Sequence, residues 1–439
     1  MTHLQSAPAC GSITDLETQP SLEVALLTWE YAAIPSAGGH VASEVAHALA
    51  DHGANVRVFT MDSDTRAMTD HERIEVIGCA GRITGMRRIA HYISGLDLLA
   101  SASAFRDCLL EEHERRPFDI IESTSQGGPA AMLLGEGLPI VIRTAAPQVM
   151  EQLDLTGMSA RLSSAIASGL EAKCIAGADM VISNSPAHAA AVRDWYGMKP
   201  GQPHQITPVS VNPGLANQGR KAPYPPAHAR LRLARIGDAS ARTSFMESLA
   251  AFDLVLRALR EKGKPLPELH LIGLDDGTFD EARRILGLDE VTANQIFDHG
   301  QLRETSTGHV LARCHFVLAP WRLASTGAAY QQAAAFGRPL ILSAEDPTAK
   351  DFIERHQCGV VAANSDPENI AQAILELEAN RPMQLKMRAA GRSHAERWTR
   401  QALGARTLQA YRRALKLEEI NLPGLVPAQG TALVRSRFA

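Results

Sequence analysis

Residues Ser36 to His40, SAGGH, combine the features of an anion cradle. The adjacent glycines Gly38 and Gly39 let backbone approach a ligand closely, and the helical stripe opening at Val41 offers unpaired N–H groups to a negative charge. Alone, the same pair makes an ordinary strand-to-helix turn, and His40 beside it is either an acceptor contact or a surface histidine. Glu122, Arg143 and Gln148 stand at the ends of short apolar runs. Polar groups there either meet a ligand or structure a loop.

The elements that must position these residues are read from pattern. LEVALLT (Leu22 to Thr28) is a short apolar run, followed by the loop, a stripe of Val41, Val45 and Leu49, and a second run from Val56 to Phe59. That is a β-loop-α-β unit. Runs at Ile120–Ile121, 139–142 and 180–182 alternate with helical or polar stretches, which predicts a parallel sheet covered on both faces. NPGLANQGRKAPYPP (Asn212 to Pro226) lacks either hydrophobic period and reads as a linker. Beyond it the alternation resumes: a helical face of Phe245, Leu249, Phe252, Leu256 and Leu259, then strands LHLIGL, HFVLAP and LILS. The predicted layout is a disordered tail (1–20), a doubly wound domain (21–205), a linker (206–227), a second doubly wound domain (228–395), a C-terminal helix packing back (396–417) and a tail (418–439). The last helical pattern runs from about Ser393 to Leu417. Ligands of two such sheets sit at the carboxyl ends of the strands, facing each other across an interdomain cleft.

Composition narrows the function classes. A chain of 439 residues is long enough for two sizeable cores, and a net charge of -4 with interspersed signs lacks the basic field that nucleic acid demands. The cysteines form no C-x-x-C pair or ligand cluster, so no metal site and no disulfide framework are expected, and a reduced, cytoplasmic protein fits best. Residues 1–20 hold no apolar signal segment, and no run is long enough to span a bilayer. RITGMRRIAHYISGLDLL (Arg82 to Leu99) sets basic residues beside an apolar stripe; it reads as a core-packing helix with arginines at its edge, with peripheral membrane contact as the alternative.

FVLAPWRLASTGAAYQQAAAFGRPLILS (Phe316 to Ser343) resembles the donor-binding segment of family-four glycosyltransferases of the GT-B fold, P-S-x-x-E-x-F-G-x-x-x-x-E-A-M-A-x-G-x-P. The resemblance extends over about Glu23 to Leu415. It implies an α/β, GT-B fold of two Rossmann-like doubly wound domains facing an interdomain cleft. It also implies a nucleotide-sugar donor, a glycan or other hydroxyl acceptor, and no metal or other cofactor. Aligned on Pro320, Gly327, Gly337 and Pro339, the two family glutamates fall on Ala324 and Gln332. FDIIES and PIVIRTAAP align with the segments that carry the family's histidine, which falls on Ala145. GDASARTSFMESLAAF, from Gly237, aligns with G-R-x-x-x-x-K-G and puts Asp238 on the arginine and Thr243 on the lysine that neutralise the donor diphosphate. In LILSAEDPTAK, Asp346 and Pro347 stand for two family glycines and Lys350 for an acid.

The carried-over donor-side candidates are Gly38, Gly39, Gly237, Arg242, Gly327 and Gln332, whose amide can still bond a ribose hydroxyl. The acceptor-side candidates are His40, Glu122, Arg143 and Gln148. Catalytic residues are unassigned, because the family histidine is replaced by Ala145 and the family glutamates by Ala324 and Gln332, and losing both cations further removes the charge-directed stabilisation of the leaving group. The reading is a pseudo-glycosyltransferase or altered homologue in glycan biosynthesis that pairs with an active glycosyltransferase or pathway enzyme. The alternative is an active retaining transferase. Asp238 and Asp346 are expected at the diphosphate position, and restoring arginine, lysine and both glutamates is expected to recover nucleotide affinity.

Overall fold

The computed structural model describes residues 21–31, 37–69, 71–147, 157–302 and 304–416. Its first half runs β1 (Glu23–Leu27), α1 (Ala37–Asp51), β2 (Asn55–Thr60), β3 (Arg66–Met68), β4 (Ile74–Gly78), α2 (Met86–His91), α3 (Leu96–Arg115), β5 (Ile120–Thr124), β6 (Ile140–Arg143), α4 (Met158–Gly177), β7 (Met180–Ser183), α5 (Pro186–Tyr196) and β8 (His204–Ile206). The strands form one sheet in the order β3-β4-β2-β1-β5-β6-β7-β8. It is parallel except for β3, which pairs antiparallel with β4 and departs from the expected all-parallel sheet. All three residues of β3 are exposed, so it serves as a short edge rather than part of the covered interior.

Alternate side chains along each strand feed opposite layers. Val24, Leu26, Val56 and Val58 pack with Val45 and Leu49 of α1. Ala25, Leu27, Phe59 and Ile121 pack with Phe105 and Leu109 of α3 and Leu170 of α4.

The second half runs α6 (Pro213–Lys221), β9 (Arg232–Ile236), α7 (Phe245–Glu261), β10 (Glu268–Ile272), α8 (Thr278–Leu286), α9 (Glu290–Ala293), β11 (Ile296–Asp298), α10 (Glu304–Arg313), β12 (Phe316–Ala319), α11 (Ala328–Ala335), β13 (Leu340–Ser343), α12 (Pro347–His356), β14 (Gly359–Ala362), α13 (Pro367–Ala379), α14 (Arg381–Ala395) and α15 (Arg400–Ala414). Its sheet is parallel, in the order β11-β10-β9-β12-β13-β14. In both sheets the strand order reverses beside the first strand, between β1 and β5 and between β9 and β12, and the carboxyl ends there bound a crevice.

Three expected elements are corrected. The stretch 206–227 contains α6, started by Asn212 Oδ1 accepting from the N–H groups of Gly214 (2.8 Å) and Leu215 (3.3 Å), with Pro213 in the first turn. Capping makes this helix, not a periodic apolar face: only Leu215 and Gly219 are buried. A Cβ on Gly219 would lie 2.7 Å from Ala335 O, so glycine lets α6 press onto α11. The pattern at 393–417 is two helices, broken where Trp398 is buried and Thr399 Oγ1 caps α15 by accepting from Ala402 N (3.2 Å). The Arg82–Leu99 stretch is not a core helix; α2 buries none of its residues, and core packing begins only in α3.

The last helix, α15, returns to the first domain. Leu403, Ala410 and Tyr411 complete the layer that covers β1, β2 and α1. Gly404 permits the crossing, since a Cβ there would sit 2.4 Å from Ala48 O. Arg400 donates to both oxygens of the buried Glu44 on α1 (2.6 and 3.0 Å), and Ser210 Oγ, in the crossover, donates to it at 2.5 Å. Burial pushes the Glu44 carboxyl up; the bonds from Arg400 and Ser210 outweigh it, and the group sits below its ordinary value.

Candidate functional site

Gly237 follows β9 with φ of 131°, a conformation that strains any residue with a Cβ. The loop it opens is held from beneath by Arg235, which is 1% exposed. Arg235 Nη1 donates to Gly237 O (2.6 Å), and Nη2 to Asp238 O and Thr243 Oγ1 (both 2.7 Å). Burial lowers this guanidinium to about 10. Asp238 accepts from Ser240 N (3.0 Å) and Ser240 Oγ (2.5 Å), and Arg242 Nη2 reaches its other oxygen at 3.2 Å. Burial raises the Asp238 carboxyl, and the bonds from Ser240 and Arg242 more than reverse it. Arg235 beneath the loop and Arg242 within it are therefore both engaged with the loop itself.

The neighbouring strand β12 delivers the second set. Arg322 N donates to Arg242 O (2.8 Å), tying the two loops together. The Trp321 indole stands over the Gly237 turn, its Nε1 3.7 Å from where a Cβ would lie, and packs against Tyr330 with ring centres 5.3 Å apart. Gly327, at φ 76°, starts α11, on which Gln332 is half-buried. Ala324 is 1% exposed and clusters with Ala191 of the first domain. Where the family has a carboxylate, this chain has an apolar contact between domains.

Asp346 is not at a phosphate position, which corrects the sequence-based expectation. It is fully buried and caps α12, accepting from Thr348 N (2.7 Å), Thr348 Oγ1 (2.6 Å) and Tyr330 Oη (2.6 Å). Burial raises its carboxyl despite these donors, and raises the Tyr330 phenol. Lys350, which stands for a family acid, points to solvent beside Glu354 (3.9 Å).

The acceptor-side set does not assemble. Glu122 and Arg143 form a buried ion pair (2.7 Å) beneath α15, where Tyr411 Oη donates to Glu122 Oε2 (2.7 Å) and Arg143 Nη2 donates to Thr407 Oγ1 (3.1 Å). These residues bind the last helix to the first sheet and do not line the crevice. Gln148 lies outside the described residues. Gly38 is exposed and Gly39 buried at the start of α1; a Cβ on Gly38 would find only Gln126 Oε1, at 4.0 Å, among the described residues. His40 is half-buried one turn before Glu44, whose charge it favours. Among the described residues, no three His, Cys, Asp or Glu side chains converge as metal ligands.

The histidine absent at Ala145 has a neighbour that sequence alignment missed. His188, on α5, reaches the same strand end from inside the domain. Its Nε2 donates to Ala145 O (3.1 Å), and its Nδ1 faces Thr144 Oγ1 at 3.4 Å. A carbonyl only accepts, so Nε2 carries the proton. Burial holds this imidazole neutral, lowering it from 6.5 to about 4. The unfolded chain protonates first as pH falls through 6.5, so the stability that neutral His188 allows is complete above 6.5 and lost toward pH 4. The expected loss is about 1.4 kcal/mol per pH unit in that window, to a total of about 3 kcal/mol. His204, His270, His315 and His356 are lowered by burial to about 4 as well, so urea unfolding across this range should show a steeper combined slope, and His188→Gln should reduce it by about 1.4 kcal/mol per pH unit.

Between the domains, Asn184 Nδ2 donates to Thr326 O, and Asn184 Oδ1 accepts from Val209 N (2.5 Å). A cavity of about 210 Å3 beside them is lined by Pro208, Gly327, Gln331, Arg355 and Trp398, among others. Gln331 Oε1 is buried there without a hydrogen-bond partner among the described residues.

Residues 36–209 match the family described as glycosyl transferase 4-like domain, and residues 246–394 match glycosyl transferases group 1. D-inositol 3-phosphate glycosyltransferase of Stackebrandtia nassauensis is 25% identical over 399 residues, 86% of this chain and 87% of that protein. Sucrose-phosphate synthase of Thermosynechococcus elongatus superposes with a TM-score of 0.71 at 19% identity, over 90% of this chain and 99% of that one. The catalytic domain of starch synthase IV of Arabidopsis thaliana, solved bound to ADP and acarbose, gives 0.60 at 12% identity, over 90% and 100%. At these identities the structural likeness establishes the fold.

Proposed function

The chain belongs to the GT-B glycosyltransferases, with a glycosyl transferase 4-like domain followed by a group 1 domain, and on that premise we propose that it is a pseudo-glycosyltransferase. In this reading its scaffold serves glycan or glycoconjugate biosynthesis through a partner enzyme, and its cleft does not transfer sugar. One observation carries the reading. At the carboxyl end of β9, where the family sets cations against the donor diphosphate, Arg242 is paired with Asp238 and Arg235 is spent on backbone carbonyls. Charge stabilisation of a leaving diphosphate is a dominant catalytic contribution, and removing even one donor costs about 3 kcal/mol of barrier lowering.

Calorimetry of the unmodified protein against UDP, GDP and ADP sugars tests this. No micromolar binding is expected. Micromolar binding abolished by Arg242→Ala would instead show that Arg242 exchanges Asp238 for the diphosphate. That outcome would favour the second reading, a retaining, metal-independent transfer to a hydroxyl acceptor. The similarity to a D-inositol 3-phosphate glycosyltransferase over 86% of the chain supports this alternative, as does the retained Gly327 start of α11.

A further inference from the structure

Between Glu75 and Asp97 the chain carries no acidic residue, and none occurs from Gly157 to Leu170. The two stretches meet on the surface. A Cβ on Gly95 would lie 3.2 Å from Ser163 Cα and 2.6 Å from Ile166 Cδ1, so the turn after α2 rests against the early turns of α4. Met86, Ile89, Tyr92 and Ile93 are 79, 60, 78 and 49% exposed, and Met158 and Leu162 at the start of α4 are 88 and 57% exposed. Spacings of three and four residues set the first group on one side of α2 and the turn that follows it.

Six of the thirteen large apolar side chains exposed among the described residues thus share one patch. Scattered apolar exposure is ordinary, whereas a contiguous patch marks an interaction surface. Its charge selects the partner. Arg88, His91 and Arg161 stand exposed in the same segments, and Arg82 and Arg87 at the base are paired with Glu111 and Asp107 on α3. A short helix with protruding apolar side chains, flanking arginines and no acid of its own suits the boundary between anionic headgroups and acyl chains. Tyrosine, apolar in body and polar at its tip, suits the same depth. No described helix is long and apolar enough to cross a membrane, so the contact is with a surface.

We infer that this face docks the protein on an anionic lipid bilayer. Met86, Ile89, Tyr92, Ile93, Met158 and Leu162 enter the headgroup boundary, while Arg88 meets lipid phosphates. The docking holds whatever the cleft does.

Sedimentation of the full chain with phosphatidylcholine vesicles, with and without about one third phosphatidylglycerol, tests it. The protein is expected to sediment with the anionic vesicles and to release as salt rises. Arg88→Ala should weaken binding about fivefold. Ile89→Asp combined with Tyr92→Asp should abolish it with an unchanged melting temperature. Arg88→Glu, at an exposed position, reads the electrostatic part independently of any folding defect. Failure to bind anionic vesicles, equal binding to neutral ones, or undiminished binding by the Ile89/Tyr92 double variant or by Arg88→Glu would each overturn the inference.

Discussion

Glu122→Ala is expected to lower the free energy of unfolding by about 3–5 kcal/mol, because it strands a buried guanidinium. Arg143 is 7% exposed, and its Nη1 already lacks a hydrogen-bond partner among the described residues. Removing its only carboxylate partner among the described residues leaves Nη2 with Thr407 alone and takes the acceptor from the Tyr411 hydroxyl. Since the hydrogen bonds of Thr407 and Tyr411 run through this pair, the middle of α15 should loosen from the sheet before the rest of the domain unfolds, while Arg400 still holds its first turn to Glu44. Denaturant titration gives the total. Hydrogen exchange of α15 amides separates local release from global unfolding. Glu122→Gln keeps an acceptor for Tyr411 while losing the charge, so it should fall between the two. A loss under about 1 kcal/mol for the alanine variant would show that solvent screens the pair.

The second large effect concerns the combined replacement Asp238→Arg, Thr243→Lys, Ala324→Glu and Gln332→Glu. On sequence grounds it should restore nucleotide binding; the structure reverses that expectation. Thr243 is 5% exposed and hydrogen-bonded to Arg235, so a lysine there sets an ammonium against a buried guanidinium. Two like charges about 4 Å apart repel by roughly 4 kcal/mol at an effective dielectric of about 20. Ala324→Glu adds a carboxylate to a dry contact with Ala191. The quadruple variant should melt well below the parent and bind no nucleotide sugar. Calorimetric binding at parental stability would show that the loop refits around lysine.

The two sheets were legible where buried parallel strands hold unbroken apolar runs, as in VALL within β1 and LIL within β13. Capped helices were not. α6 depends on Asn212 and on a glycine contact with α11, neither of which leaves a hydrophobic period. Within the site, Gly237 and Gly327, carried over as donor-side candidates, both adopt positive φ, a backbone demand that glycine meets whatever the ligand. The polar assignments failed where burial decides. Glu122, Arg143 and Asp346 carry chemistry-bearing side chains, but α15 and α12 turn them inward, and alignment along the chain does not register a partner 264 residues away such as Thr407. Arg235 was missed with its strand, because RLARI of β9 carries two arginines in five residues and shows no apolar run.

The return of α15 also bears on how the molecule is made. A ribosome releases β8 about 200 residues before Tyr411, which at 5–20 residues per second is roughly 10–40 s of synthesis. During that interval the layer over β1 and β2 lacks Leu403, Ala410 and Tyr411, and the Glu122–Arg143 pair lies open to water. The nascent first domain is therefore an unfinished client for chaperones, and a chain cut short before Arg400 would never mature beyond it.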